Sequence, residues 1–353
     1  MKPKKLVLVI LACLALGRPA PPCSSLAFVN NGFLVFGANY DNRFAPGQIF
    51  INRRNVRKFG WEQGTTGRTA EWVSRYGSVT ISCAGYQLAW GGMNEAGLCF
   101  STMLLTETRV PAADARAPLV GALWWQYMLD TCATIDEVRA SAKRVRISGT
   151  EDHYFVCDRT GNCAVVECLG GRLIVRDGAS LPVKALANAP YQACLVHQRT
   201  RAGAPAGGSY SSFDRFSRLA DGLAKFKDRS ESAAVSYAFG LLAGVAASGD
   251  QTRWSFVCDS GARVFYLKTF ENPRVRFVDL KKIDFSCERP TAMLDAHTGL
   301  EGDITGAFHD YSHEEALAHM ILALKYFRPE IQEETVRQVL AFFESFSCQP
   351  AGK

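Results

Sequence analysis

The sequence predicts an α+β protein layered within one domain. Three observations carry that: strand-like, helical, strand-like and helical segments follow one another in blocks along the 353 residues; no internal repeat is present; and no low-complexity linker divides the chain. A chain of this length can bury one large core or two.

The first block runs from residue 24 to 53, where two strands meet at Asn30-Asn31-Gly32 and place Leu26, Phe28, Phe33, Val35 and Phe36 as apolar positions. Residues 60–75 are polar and turn-rich. Strands are expected at 78–82 and 97–105, around a loop at Gly91-Gly92-Met93-Asn94-Glu95-Ala96. Residues 118–145 read as helical in two segments broken near Thr131, the second opening with the capping box Thr134-x-x-Glu137. Further strands are expected at 153–168, 172–176 and 183–188. After a flexible loop at 202–208 come helices at 213–226 and 232–247. A meander follows at 254–258, 263–269 and 274–279, turning at Asp259-Ser260-Gly261 and Glu271-Asn272-Pro273. Two amphipathic helices close the chain: one from about Glu314, capped by Ser312-x-x-Glu315, and one over 329–346.

Residues 1–17 have the character of an export signal. Lys2, Lys4 and Lys5 precede an apolar run at 6–16 that is too short to span a membrane, and Ala15-Leu16-Gly17 fits a small-x-small cleavage site. Cleavage after Gly17 leaves Arg18-Pro19-Ala20-Pro21-Pro22 as a short pro-segment, 18–22, ahead of a domain at 23–348. A second cut before Cys23 would then be needed. Destination follows from the signal: secreted or periplasmic. The formal charge of +6 falls to about +2 once Lys2, Lys4, Lys5 and Arg18 are gone, so no nucleic-acid partner is implied. No later apolar run is long enough to cross a bilayer; residues 232–247 come closest and read as a buried helix.

Twelve cysteines are many for a reducing compartment. Cys157 and Cys163 flank a turn, Asp158-Arg159-Thr160-Gly161-Asn162, across which they can pair. A zinc site using Cys157, Cys163 and Cys168 is the alternative, although CxxC spacing is missing. Cys23 has two main readings, an ordinary disulfide cysteine or a nucleophile; a lipid-anchored cysteine is disfavoured because Ala20-Pro21-Pro22 is a poor lipobox. In the second, removal of residues 1–22 leaves thiol and α-amine on one residue. A thiol titrates at about 8.5 and an α-amine at roughly 7.7–8.0, so the amine can accept the thiol proton.

Read together, Cys23, Gly37-Ala38-Asn39-Tyr40-Asp41, Gly92-Met93-Asn94-Glu95-Ala96-Gly97-Leu98, Ala187-Asn188 and Asp214-Arg215-Phe216 give a resemblance. From Cys23 to about Thr269 the chain resembles the choloylglycine hydrolase and penicillin V acylase family, linear amide C–N hydrolases of the N-terminal-nucleophile type. The resemblance implies a four-layer αββα sandwich, with two antiparallel sheets between helix layers and the nucleophile at the start of a central strand. It implies Cys23 as nucleophile, Asp41 as the carboxylate orienting the new amino terminus, Asn188 as a side-chain oxyanion donor and Arg215 as a cation reaching the nucleophile. The second oxyanion donor falls near Leu104, through its backbone N–H. No cofactor and no metal are implied, and the partner is a small-molecule acyl amide. A homo-oligomer is compatible with the resemblance.

Two positions depart from the family pattern. Ala38 stands where relatives commonly carry a basic residue, and Asn42 where they often carry tryptophan. Around Leu104 bile-salt and penicillin enzymes tend to have a polar or tyrosine side chain, so neither substrate transfers directly. Other chemistry finds little footing: His309, His313, Glu314 and His319 lack zincin spacing, and no Gly-x-Ser-x-Gly elbow or phosphate loop is present. The expected function is therefore an exported cysteine amidohydrolase that cleaves a linear, non-peptide amide through a Cys23 thioester. The substrate class is an N-acyl amino acid, a conjugated acyl amide or a penicillin V- or bile-salt-like compound. The alternatives are an acyltransferase on the same site and a non-catalytic exported binding protein on this scaffold.

Overall fold

The computed structural model describes residues 22–60, 69–201 and 210–349. The expected signal, most of the pro-segment and the expected loop at 202–208 lie outside the described residues. Two large sheets form the middle of the molecule. The first has seven strands, in spatial order β14 (Ala185–Ala187), β1 (Ser24–Asn30), β2 (Phe33–Asp41), β15 (Thr252–Asp259), β16 (Val264–Thr269), β17 (Arg276–Asp279) and β19 (Gly302–Asp303). It is antiparallel except where β17 meets β19.

The second sheet has nine strands and is antiparallel throughout. Its order is β13 (Arg172–Asp177), β12 (Cys163–Leu169), β11 (Asp152–Cys157), β8 (Cys99–Leu104), β7 (Gly91–Asn94), β6 (Ser78–Ser82), β3 (Gln48–Asn52), β18 (Ala292–Asp295) and β20 (His309–Asp310). Small sheets are made by β4 (Val56–Phe59), β5 (Glu71–Val73) and β21 (Ser347–Cys348), and by β9 (Ala117–Val120) with β10 (Val145–Ser148).

Helices cover both outer faces, giving αββα layering. On the first sheet lie α3 (Tyr191–Thr200), α4 (Ser212–Ala224) and α5 (Glu231–Ala243), whose Phe216, Leu219, Val235, Ala238 and Leu242 are buried. On the second lie α1 (Gly121–Thr131), α2 (Ile135–Arg144), α6 (His313–Phe327) and α7 (Glu333–Glu344), which bury Trp124, Met128, Val138, Leu317, Met320 and Leu340 beside Phe100, Tyr154 and Met293. Between the sheets, Phe36 packs on Phe155 and Phe256 at centroid distances of 5.4 and 6.1 Å. Both capping boxes read from the sequence form at their helix starts as far as side-chain oxygens go: Thr134 accepts from Glu137 N and Ser312 from Glu315 N.

Several elements differ from expectation, each for a physical reason. Gly91-Gly92 reads as a loop but lies inside β7. A Cβ on Gly91 would sit 2.5 Å from the Phe256 ring, and one on Gly92 2.4 Å from the Val79 carbonyl, so these glycines permit close approach of neighbours. The true turn follows at Gly97, with φ +91°, where the Asn94 side chain accepts from the N–H groups of Ala96 and Leu98. Residues 118–120, expected as helix, belong to β9 and pair in parallel with β10 instead. Helix α3 escapes the sequence because Pro190 at its start gives no side-chain cap. The last helix begins at Glu333, four residues beyond Pro329. Helix α5 is buried on one face only, leaving Ser232, Ser236 and Gly240 exposed.

Candidate active site

Sheet register assembles the site. Strand β1 lies between β14 and β2, with Ser24 opposite both Ala187 and Asn39. Cys23, one residue upstream, therefore falls beside Asn188 on one side and Tyr40-Asp41 on the other. Alternation along β1 sends Ser25 between the sheets, where its hydroxyl lies 2.6 Å from that of Ser101. Cys23 shares that face. Ser24 faces the opposite way, toward the helix layer.

From that layer comes Arg215, in the first turn of α4 and nearly fully buried. Its Nη1 donates to the Cys23 carbonyl and to Ser24 Oγ, the latter at 2.6 Å. Nη2 donates to Asn188 Oδ1 at 3.2 Å and Ser212 Oγ at 3.3 Å, while Nε reaches the Tyr210 carbonyl at 3.2 Å. One guanidinium thus ties together the main chain of Cys23 and the amide of Asn188. These acceptors are neutral. Burial draws Arg215 below its ordinary value, and the charge of Asp41 opposes that.

Asn188, just beyond β14, donates Nδ2 to the Leu104 carbonyl at 2.9 Å. Because Oδ1 accepts from Arg215, the orientation of the amide is fixed at both ends. This modifies the expectation for Leu104. Leu105 N bonds Glu151 O on β11's side, so Leu104 directs both its N–H and its carbonyl to the other edge, and the carbonyl is the group engaged.

Cys23 is buried, with Sγ 3.9 Å from the Asp41 carbonyl oxygen. Burial drives its thiol well above the usual range, the Asp41 charge adds to that, and Arg215 pulls the other way. That shift favours the protonated thiol, and the Cys23 nitrogen is in peptide linkage to Pro22. Asp41 is also buried. Its Oδ1 accepts from Thr252 Oγ1 at 2.6 Å, whereas Oδ2 has no hydrogen-bond partner. Burial raises the carboxyl to about 7 against the lowering effects of the Thr252 hydroxyl and Arg215.

The structure brings Cys23, Asp41, Asn188, Arg215 and Leu104 to one place. Sequence reasoning missed Ser24 and Thr252: the first sits in the shadow of Cys23, and the second reaches Asp41 only through a bulge between Thr252 and Trp254. The departures also find places. Ala38 is buried in β2 opposite Ser25 and Phe256, and the Asn42 side chain accepts from Phe44 N. Tyr40 stacks on Trp254 at 4.0 Å and meets Trp90 edge-on at 5.2 Å. The histidines scatter: His309 lies 3.4 Å from Glu315, His313 2.8 Å from Glu344, and His319 3.0 Å from the Cys83 carbonyl. Cys157 and Cys163 are joined as a disulfide across their turn, and Cys287 pairs with Cys348, a bond the sequence did not suggest.

A family model described as linear amide C–N hydrolases, choloylglycine hydrolase family, matches residues 23–198. The chain belongs to that family. It is accordingly a linear amide C–N hydrolase. A penicillin V acylase from Pectobacterium atrosepticum is 26% identical over 262 residues, covering 61% of this chain and 69% of the relative. Among solved structures, penicillin V acylase from Agrobacterium tumefaciens superposes with a TM-score of 0.74 at 25% identity, over 82% of this chain and 98% of that one. A mutant conjugated bile acid hydrolase from Clostridium perfringens gives 0.65 at 18% identity, over 79% and 98%, a likeness of fold. The αββα layering is therefore that of the N-terminal-nucleophile hydrolases.

Proposed function

We propose that this hydrolase is exported, that residues 1–17 are its signal and 18–22 a pro-segment, and that residues 23–348 form a single catalytic domain whose nucleophile is Cys23. One observation carries the reading: a buried Asp41 carboxylate oxygen has no partner beside a cysteine whose nitrogen is still in peptide linkage. A cut before Cys23 converts that nitrogen into an α-ammonium, the group a solitary carboxylate oxygen is suited to hold. The two disulfides fit an oxidising destination.

In this scheme Cys23 Sγ attacks the acyl carbon of the amide while its proton passes to the α-amine. The carbonyl oxygen becomes an oxyanion, held by the second N–H of Asn188 Nδ2 and the Leu104 backbone N–H. Collapse breaks the C–N bond, the amine leaves with the proton, and water then hydrolyses the thioester. Arg215 fixes the Cys23 carbonyl and Asn188 so that donor and sulfur keep their spacing. The substrate is a linear, non-peptide acyl amide, and the penicillin V acylases among its relatives make a phenoxyacetyl amide the first probe.

Mass spectrometry and thiol titration of the exported protein should find a free Cys23 at the amino terminus. Cys23→Ala should leave the pro-segment uncut or the protein inactive on penicillin V and N-acyl amino acids; full activity would falsify the scheme. Asn188→Ala should lower kcat by about 10²–10³. The rate should also rise through the titration of the amine, and a flat profile there removes the α-amine as base.

A further inference from the structure

Strand β15 carries an irregularity at one place, beside Asp41. Trp254 is the register partner of Tyr40, so regular pairing would put Arg253 opposite Asp41. Instead Thr252 is opposite Asp41, and Arg253 is the extra residue. The bulge therefore exchanges a guanidinium for a hydroxyl at the one position facing the carboxylate. Arg253 turns away to donate to the carbonyls of Asn42 and Arg43, at 2.9 and 3.0 Å, and to pair with Asp250 and Glu271.

While Asp41 is ionised, the direction of the Thr252 hydrogen bond is forced. Its Oγ1 accepts from Ala247 N at 2.8 Å, the first residues after α5 being packed against this strand, so its single proton goes to Asp41 Oδ1 at 2.6 Å. That bond occupies one carboxylate oxygen and stops the carboxylate from rotating. It leaves Oδ2 without a hydrogen-bond partner, open to a second donor. A guanidinium in the same position would bind both oxygens in a fork and compete with any ammonium for the charge. A hydroxyl orients without neutralising.

We propose that Thr252, delivered by the bulge, is a positioning residue for the reaction: it holds Asp41 so that Oδ2 alone receives the α-amino group of Cys23. This rests on the reading of Cys23 as an amino-terminal nucleophile. The charged or titratable groups acting on Asp41 are Arg215 from α4 and Cys23 from the start of β1, with Arg253 turned away to its own carbonyl and carboxylate partners.

The test uses the full-length gene and the processed enzyme it yields, with penicillin V and an N-acyl amino acid as probes. Thr252→Val should process slowly and lower kcat about tenfold or more, with KM within about twofold. Its kcat profile should lose activity at higher pH than the native enzyme on the acid side, because the missing donor lets Asp41 take up a proton more readily. Thr252→Ser, which restores the hydroxyl, should return kcat and the acid limb to native values; a merely structural role would not tie both readouts to the hydroxyl. Should Thr252→Val fail to fold, Thr252→Ala, which also lacks the hydroxyl, is measured the same way. Native kcat and acid limb in Thr252→Val or Thr252→Ala overturn the proposal, as does failure of serine to restore them. Cys23→Ala is assayed alongside: activity there defeats the nucleophile reading itself, whereas an inactive Cys23→Ala with an unaffected Thr252→Val defeats only the role of Thr252.

Discussion

Two buried carboxylates in this protein meet opposite fates. Asp130, in α1, is surrounded by donors: Lys58 Nζ at 2.9 Å and Trp72 Nε1 at 2.7 Å reach Oδ2, and Gln126 Nε2 at 2.8 Å reaches Oδ1. Lys58 is in turn held by Gln87 Oε1. Asp41 has one hydroxyl on one oxygen and nothing on the other. A carboxylate completed by its own chain fixes structure, while one left half-complete keeps capacity for a group that the chain has yet to present. Asp152 Oδ2 and Glu167 Oε2 are also without a hydrogen-bond partner, so it is the place of Asp41 beside Cys23 that supports the role proposed for it.

The comparison breaks most visibly at Lys58. Lys58→Met should cost about 3–5 kcal/mol of stability in denaturant unfolding, because it strands a buried charge. Turnover per folded molecule should hold, and a loss of turnover at constant stability would erase the distinction. Next in size is Asp41→Asn in the unprocessed chain. Its carboxyl titrates near 7 when folded and near 4 when unfolded, so the folded state binds the extra proton between those limits. The stability it contributes is present below about pH 4 and is lost as pH rises through 7, amounting to at most about 4 kcal/mol. Asp152 is also raised to about 7 by burial, so the native chain alone does not isolate Asp41. Unfolding measured from pH 4 to 8 on both chains should show a shallower decline for Asp41→Asn, and parallel curves would mean that Asp41 is not held as an acid. After processing, the new ammonium should lower the Asp41 carboxyl and flatten the native curve as well. The smallest effect is expected from Trp72→Phe, which removes one of several donors to Asp130 and should cost about 1–2 kcal/mol with kcat unchanged.

Much of this was legible from residue order. Cys23, Asp41, Asn188 and Arg215 carry short motifs, and the strands on either side of Cys23 announce themselves by alternation. The hairpin disulfide Cys157–Cys163 followed from a turn between two cysteines. What escaped depends on partners distant in sequence. Thr252 reaches Asp41 across 211 positions through a bulge that no local pattern marks. Gly91-Gly92 carries turn chemistry in its composition, yet serves the approach of Phe256 and Val79. Leu104 lies next to Asn188, but the engagement of its carbonyl depends on which edge of β8 it faces. The Lys58–Asp130 pair gave no sign, since an isolated lysine and aspartate read as surface charges.

Ladders on both flanks of β1 make the chain ahead of Ser24 a ruler with a step of one residue. An alanine inserted between Cys23 and Ser24 would leave every downstream pairing in place while swinging the sulfur to the opposite side of the sheet, out from between the layers. Extra residues upstream of Cys23 carry no such penalty. If residues 1–22 are removed as proposed, length variation there is free, whereas the distance from sulfur to the first paired residue is fixed by parity.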